Sequence, residues 1–128
     1  MKLRIAIAEL RAKAVALALL APLCIALAAC GPIHETARDV IAGSAGVLTA
    51  AQAQYGAACK ADPQQPRCQS ISRGIAAQGL AIDALHLYCA SESYERGGPC
   101  TPHKELEPKL RQAVRSLERM AGEVKELL

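Results

Sequence analysis

LEPKLRQAVRSLERMAGEVKELL, residues 106 to 128, decides the fold. Leu106, Leu110, Ala113, Leu117, Met120, Val124 and Leu127 are spaced by alternate steps of four and three, which puts them on one side of an α-helix, with charged residues on the other. The pattern predicts a helix over roughly 103–127. Thr101-Pro102 offers a cap followed by a proline at the first helical position. Pro108 conflicts with this start, because an interior proline removes a hydrogen bond and crowds the preceding turn. Either the helix kinks there or its main body begins near Pro108.

Working back along the chain, two more helices are expected. Over roughly 67–90, Ile71, Ile75, Ile82, Leu85 and Cys89 share one side, while Arg73, Ala77, Leu80, Ala84 and Leu87 populate others. A helix apolar on more than one side suits the middle of a bundle, touched by two neighbours. Over roughly 33–58, Ile41, Leu48 and Tyr55 recur every seven residues, with Ser44, Ala51 and Ala58 between them. Thr36 and Asp39 form a candidate capping box. A ridge of Ala42, Gly46, Ala50, Ala53 and Ala57 would let a neighbouring backbone approach. Gly43 and Gly46 each cost about 1 kcal/mol relative to alanine, so a kink near 43–46 is expected. No stretch alternates over a strand's length. The connections KADPQQPR and SESYERGGP are short and rich in breakers, which makes sequential helices antiparallel. The expected fold is an all-α, up-down-up three-helix bundle over 33–128.

Residues 1–29 read differently. Lys2, Arg4, Arg11 and Lys13 precede an uncharged run from Ala14 to Ala29. That run is shorter than the roughly 20 apolar residues of a membrane span. A basic start, a short apolar stretch and small residues at its end describe a secretory signal helix, removed on maturation. Leu27-Ala28-Ala29-Cys30 resembles the lipobox of bacterial lipoprotein precursors, a likeness confined to residues 1–30. The resemblance implies cleavage before Cys30 and acylation of its sulfur and new amine. Cys24, preceded by bulky Leu23, does not fit the pattern. Glu9 departs from the usual basic segment. An A-x-A site at Ala26-Leu27-Ala28 is the plainer alternative, leaving Cys30 a free thiol. Stable anchoring takes two or more acyl chains, as a triacylated Cys30 would supply. Gly31, rather than an aspartate, leans by analogy towards the outer membrane. Residues 30–32 would form a short tether, leaving the domain little freedom to roam.

Of fifteen basic residues four lie in that leader, and of twelve acids one, leaving eleven of each. A mature chain of zero formal charge gives no basic footprint for nucleic acid. Its three tyrosines, Tyr55, Tyr88 and Tyr94, are the only aromatics, so a core of Ala, Leu, Ile and Val is thin and gains from staples.

Cysteines supply them. Cys59, Cys68, Cys89 and Cys100 remain, an even number in an exported chain. Cys68 and Cys89 stand at the two ends of one helix, about 31 Å apart at 1.5 Å per residue. A disulfide needs Cα atoms roughly 4.4–6.8 Å apart, and Cys59–Cys89 or Cys68–Cys100 would join opposite ends of the bundle. The expected pairs are Cys59–Cys68 and Cys89–Cys100, each closing a turn. The wide spacings argue against CxxC-type zinc or redox chemistry.

Candidate sites are few. His34, His86 and His103 fall at one end of the expected bundle and would bind zinc or copper only if brought together, with Glu35 or Glu105 adding a carboxylate. The simpler reading is three separate surface or helix-end histidines. Arg111, Arg115 and Arg119 form a row for a phosphate-bearing partner or, more simply, a solvated face paired with Glu107, Glu118 and Glu123. Asp83 and His86 are an isolated i, i+3 pair. No nucleophile elbow, zinc-protease motif or phosphate loop is present, so neither an enzyme nor a cofactor is expected. The expectation is a small lipid-anchored helical interaction or scaffold protein of the bacterial envelope, on the outer membrane facing the periplasm, with the membrane and an envelope protein as partners. The DPQQP turn would project about 35 Å from the anchored end. Alternatives are a carrier or sensor of apolar ligands and a histidine-based metal module.

Overall fold

The computed structural model describes residues 32–128. The expected leader, Cys24 and the expected lipidation site Cys30 lie outside them. Three helices follow in order: α1 (Ile33–Ala61), α2 (Pro66–Cys89) and α3 (Glu107–Lys125), with 3-10 turns at Tyr94–Arg96 and Lys104–Leu106. Every helix touches the other two, and no strand occurs among the described residues. The all-α three-helix bundle is the fold.

α1 is unbroken across Gly43 and Gly46, where a β-carbon would meet nothing within 4 Å. With both glycines on the outside, nothing pulls the axis aside, and the expected kink is absent. Thr36 and Asp39 sit inside the helix, which begins at Ile33, so they form no capping box. The helix runs three residues beyond 58, to Ala61, and its 29 residues span about 43 Å. A four-residue turn follows, in which Gln64 N donates to Asp62 Oδ1 at 3.1 Å. Pro66 opens α2 from the N-terminal position where its missing N–H costs nothing. α2 ends at Ala90, in the left-handed region at φ 49°. There Ser91 N donates to the His86 carbonyl at 3.1 Å, a Schellman-type closure.

The link to α3 is tied back to α2. Thr101 N donates to the Cys89 carbonyl (2.9 Å) and His103 N to the Tyr88 carbonyl (2.8 Å). These bonds satisfy two carbonyls that a helix end leaves without partners. Thr101-Pro102 therefore closes α2 rather than capping α3. α3 begins at Glu107, with Pro108 in its first turn, so the proline breaks no ladder bond and no kink is needed. Of the expected α3 stripe, Leu110, Leu117 and Val124 are buried and Leu106, Ala113, Met120 and Leu127 half-buried, while Val114 and Ala121, outside that stripe, are buried with them, so the inward side is rotated slightly from the expected one.

α2 turns unexpectedly. Its buried face is Cys68, Ile71, Gly74, Ala77, Ala81, Ala84, Leu85, Tyr88 and Cys89. Ile75, Leu80 and Leu87 are exposed, at 40%, 66% and 54%. The small side chains 74, 77, 81 and 84 let α2 come close to α1 and α3 and gain more contacts than a bulkier face would allow. The ridge on α1 expected to do this, Ala42 to Ala57, faces outward instead. The inner side of α1 carries Ala37, Ile41, Ser44, Leu48 and Ala51.

Two core clusters result. One gathers Ala37, Ile41, Leu85, Tyr88, Tyr94, Leu110, Val114 and Leu117. The other holds Leu48, Ala51, Ile71 and Val124, with Tyr55 and Leu127 against it. Full burial of each large side chain stabilises the fold by about 1.5–3 kcal/mol. Both turns are stapled. Cys59 and Cys68 are bonded with Cα atoms 5.4 Å apart, and Cys89 and Cys100 with Cα atoms 4.3 Å apart.

Candidate functional site

Each end of the bundle carries its own chemistry. At the end where α1 starts, Tyr94 reaches inward from its 3-10 turn and is buried. His34 lies edge-on to Tyr94, ring centroids 5.3 Å apart, and stacks on Tyr88 at 6.2 Å. The Arg38 guanidinium stands over the Tyr94 ring at 5.5 Å. Burial pushes the Tyr94 phenol above its ordinary range; Arg38 opposes this, and Glu35 and Asp39 add to it. His34 Nδ1 is buried without a hydrogen-bond partner.

The other two histidines go elsewhere. His86 Nε2 meets the Glu95 carboxylate in a short contact, and Arg96 Nη1 reaches the other Glu95 oxygen at 3.2 Å. Burial acts to raise the Glu95 pKa, but the hydrogen bond from His86, a backbone hydrogen bond and the nearby positive charge bring it below the usual carboxylate value. His86 therefore pairs across the loop and not with Asp83. His103 Nδ1 stands 3.2 Å from Glu105, whose carboxyl is held low by a backbone hydrogen bond and then by His103. Each histidine has a separate environment. Among the described residues no group of three His, Cys, Asp or Glu side chains is placed to hold a metal ion. The His34, His86 and His103 constellation, with Glu35 or Glu105, does not assemble, because the 3-10 turn inserts Tyr94 and Glu95 between the helix ends.

At the opposite end, Tyr55 Oη donates to the Leu127 carbonyl, and the Tyr55 ring centroid lies 5.3 Å from the Arg67 guanidinium above it. An open groove of about 980 Å³ runs between α1 and α2 beside the Cys59–Cys68 bridge. Its apolar wall is Gly56, Ala57, Ile71, Ile75 and the disulfide. Lys60 and Arg73 are its only charged lining residues. The groove continues into the outer face of α1, which carries no charge from Val40 to Cys59. Nothing in the sequence marked it, since it depends on which side α2 presents to α1.

The arginine row is only partly neutralised. Arg111 pairs with Glu107 at 2.6 Å, whereas Glu123 turns to Arg73 of α2 at 3.9 Å. Neither Arg115 nor Arg119 forms an ion pair among the described residues. No described helix is long and apolar enough to cross a membrane. Searches against protein-family models, curated proteins and solved structures return no match to this chain.

Proposed function

We propose that the chain is a small helical interaction or scaffold protein, held on the bacterial envelope through a lipid on Cys30 and facing the periplasm from the outer membrane. The observation that carries this reading is a filled bundle core beside exposed Ile75, Leu80 and Leu87 and an uncharged outer face on α1. Leu80 and Leu87, seven residues apart, fall on one side of α2, while Ile75 lies on the side towards α1; exposed apolar side chains that share a face mark interaction surfaces. The absence of a nucleophile motif in the sequence agrees with a binding role. With only Gly31 and Pro32 between Cys30 and α1, a lipid on Cys30 would set the His34 end near the bilayer. The Asp62–Gln65 turn would then stand away from it by about the 43 Å rise of α1.

The test has two arms. Metabolic labelling with an alkyne fatty acid should mark the wild-type chain and not Cys30→Ser, and the variant should leave the membrane fraction. Crosslinking capture of an envelope protein should weaken in Leu80→Glu/Leu87→Glu, or on replacing residues 62–66 with a neutral turn. Unlabelled wild type rejects the anchor, and capture indifferent to both changes rejects these surfaces as the contact.

A further inference from the structure

The groove beside the Cys59–Cys68 bridge is lined by apolar side chains and two cations. We infer that it takes an amphiphilic anion of the fatty-acid class, its alkyl chain along Gly56, Ala57, Ile71 and Ile75 and its carboxylate against Lys60 or Arg73. This inference goes beyond the interaction role and does not depend on the lipid at Cys30.

Three features define the ligand. The groove, at about 980 Å³, is at the top of the roughly 300–1,000 Å³ range of small-molecule sites. Its walls are two helices whose backbone groups are already paired, so an extended peptide finds no edge to join. What the walls offer is side-chain surface: two isoleucines, small residues and a disulfide, which suit a methylene chain. The charges are one-sided. Lys60 and Arg73 line the groove and no carboxylate does. Arg73 does approach Glu123, at 3.9 Å, but that pair is loose and exposed and worth little. A neutral or cationic amphiphile would gain the walls and not the rim.

Gly56 provides the decisive variant. A β-carbon there meets nothing within 4 Å and Gly56 lines the groove, so Gly56→Ala is free of overlap and favours the helix, and Gly56→Leu is the variant expected to extend into the groove. The probe is dodecanoate below its micellar concentration, titrated calorimetrically into the purified full chain, with dodecyltrimethylammonium as the equal-tail cation. The expected result is saturable one-to-one binding of dodecanoate. Affinity should fall about tenfold or more in Gly56→Leu and in Ile75→Glu, each 1.4 kcal/mol per decade, while the thermal midpoint of Gly56→Leu does not fall. Lys60→Glu/Arg73→Glu should weaken dodecanoate and bring the cation level with it. Equal binding of both amphiphiles by the wild type, or dodecanoate binding untouched by Gly56→Leu, overturns the proposal. So does a groove occupied otherwise: dimerisation in sedimentation velocity that Ile75→Glu abolishes, capture of an acidic helical peptide without dodecanoate binding, or binding only to phosphatidylglycerol vesicles. Loss of Cys30 labelling leaves this titration unchanged, so the two readings fail separately.

Discussion

Gly74 of α2 holds its backbone against Leu48 of α1: a β-carbon at position 74 would stand 2.7 Å from Leu48 Cδ2, and 3.3 Å from Val124 Cγ2 of α3. All three helices meet at this glycine. Leu48 and Val124 are 2% and 0% exposed, so either side chain could yield only by repacking the core around it.

Two glycines on α2 should therefore respond with opposite sign. Gly74→Ala overpacks the junction, at about 1–3 kcal/mol, against a helix-propensity gain of about 1 kcal/mol, for a net loss. Gly79→Ala meets no atom within 4 Å and should gain up to about 1 kcal/mol. Urea denaturation of the two variants checks this, and a stabilised Gly74→Ala would contradict the close approach.

Each disulfide closes a short loop, with sequence separations of 9 and 11. In the chain-entropy model each contributes up to about 3 kcal/mol. Replacing either pair by serines should lower the thermal midpoint while keeping helical circular dichroism, and replacing both should cost more than either. Peptide mass mapping under non-reducing conditions should recover 59 with 68 and 89 with 100.

The folded-state pKa of Glu95 lies below the unfolded one. Its contribution to stability is thus fully present above the unfolded value of about 4.3 and is lost as pH falls through the lower folded value. Thermal melts from pH 6 to pH 2 should show the wild type losing stability more steeply below about pH 4 than Glu95→Gln. Parallel curves would mean that the His86–Glu95 contact adds nothing.

Tyr55 ties α1 to the last turn of the chain through the Leu127 carbonyl. Tyr55→Phe keeps the ring under Arg67 and removes only the hydroxyl. The expected cost is about 1 kcal/mol, with faster amide exchange confined to the end of α3.

Much of this arrangement was legible along the chain. The α3 stripe is read from Leu106, Leu110, Ala113, Leu117, Met120, Val124 and Leu127, because a helix with a single neighbour-facing side shows its period plainly; the structure centres the buried side on Leu110, Val114, Leu117, Ala121 and Val124. The cysteine pairing follows from length and helix order together: α2's reach keeps Cys68 and Cys89 far apart, and the other alternative would join opposite ends of the bundle. The sequence allows two starts for α3, near Thr101-Pro102 or near Pro108, and the Thr101 and His103 backbone bonds to the end of α2, which no local pattern announces, leave the helix to begin at Glu107.

What the sequence by itself determined is therefore the helices, their order and their staples: periodicity, breakers and chain length act locally. The tertiary structure alone decided which face of α2 turns inward, and the exposed leucines and the groove both follow from that choice. Both of its faces are apolar, so hydropathy does not separate them. Packing does, because Gly74, Ala77, Ala81 and Ala84 let three backbones approach where Leu80 and Leu87 would hold them apart. Turning the small residues in left Ile75 beside Gly56 and opened the groove. The same global geometry inserted Tyr94 and Glu95 among the helix ends and separated the three histidines that topology had placed together.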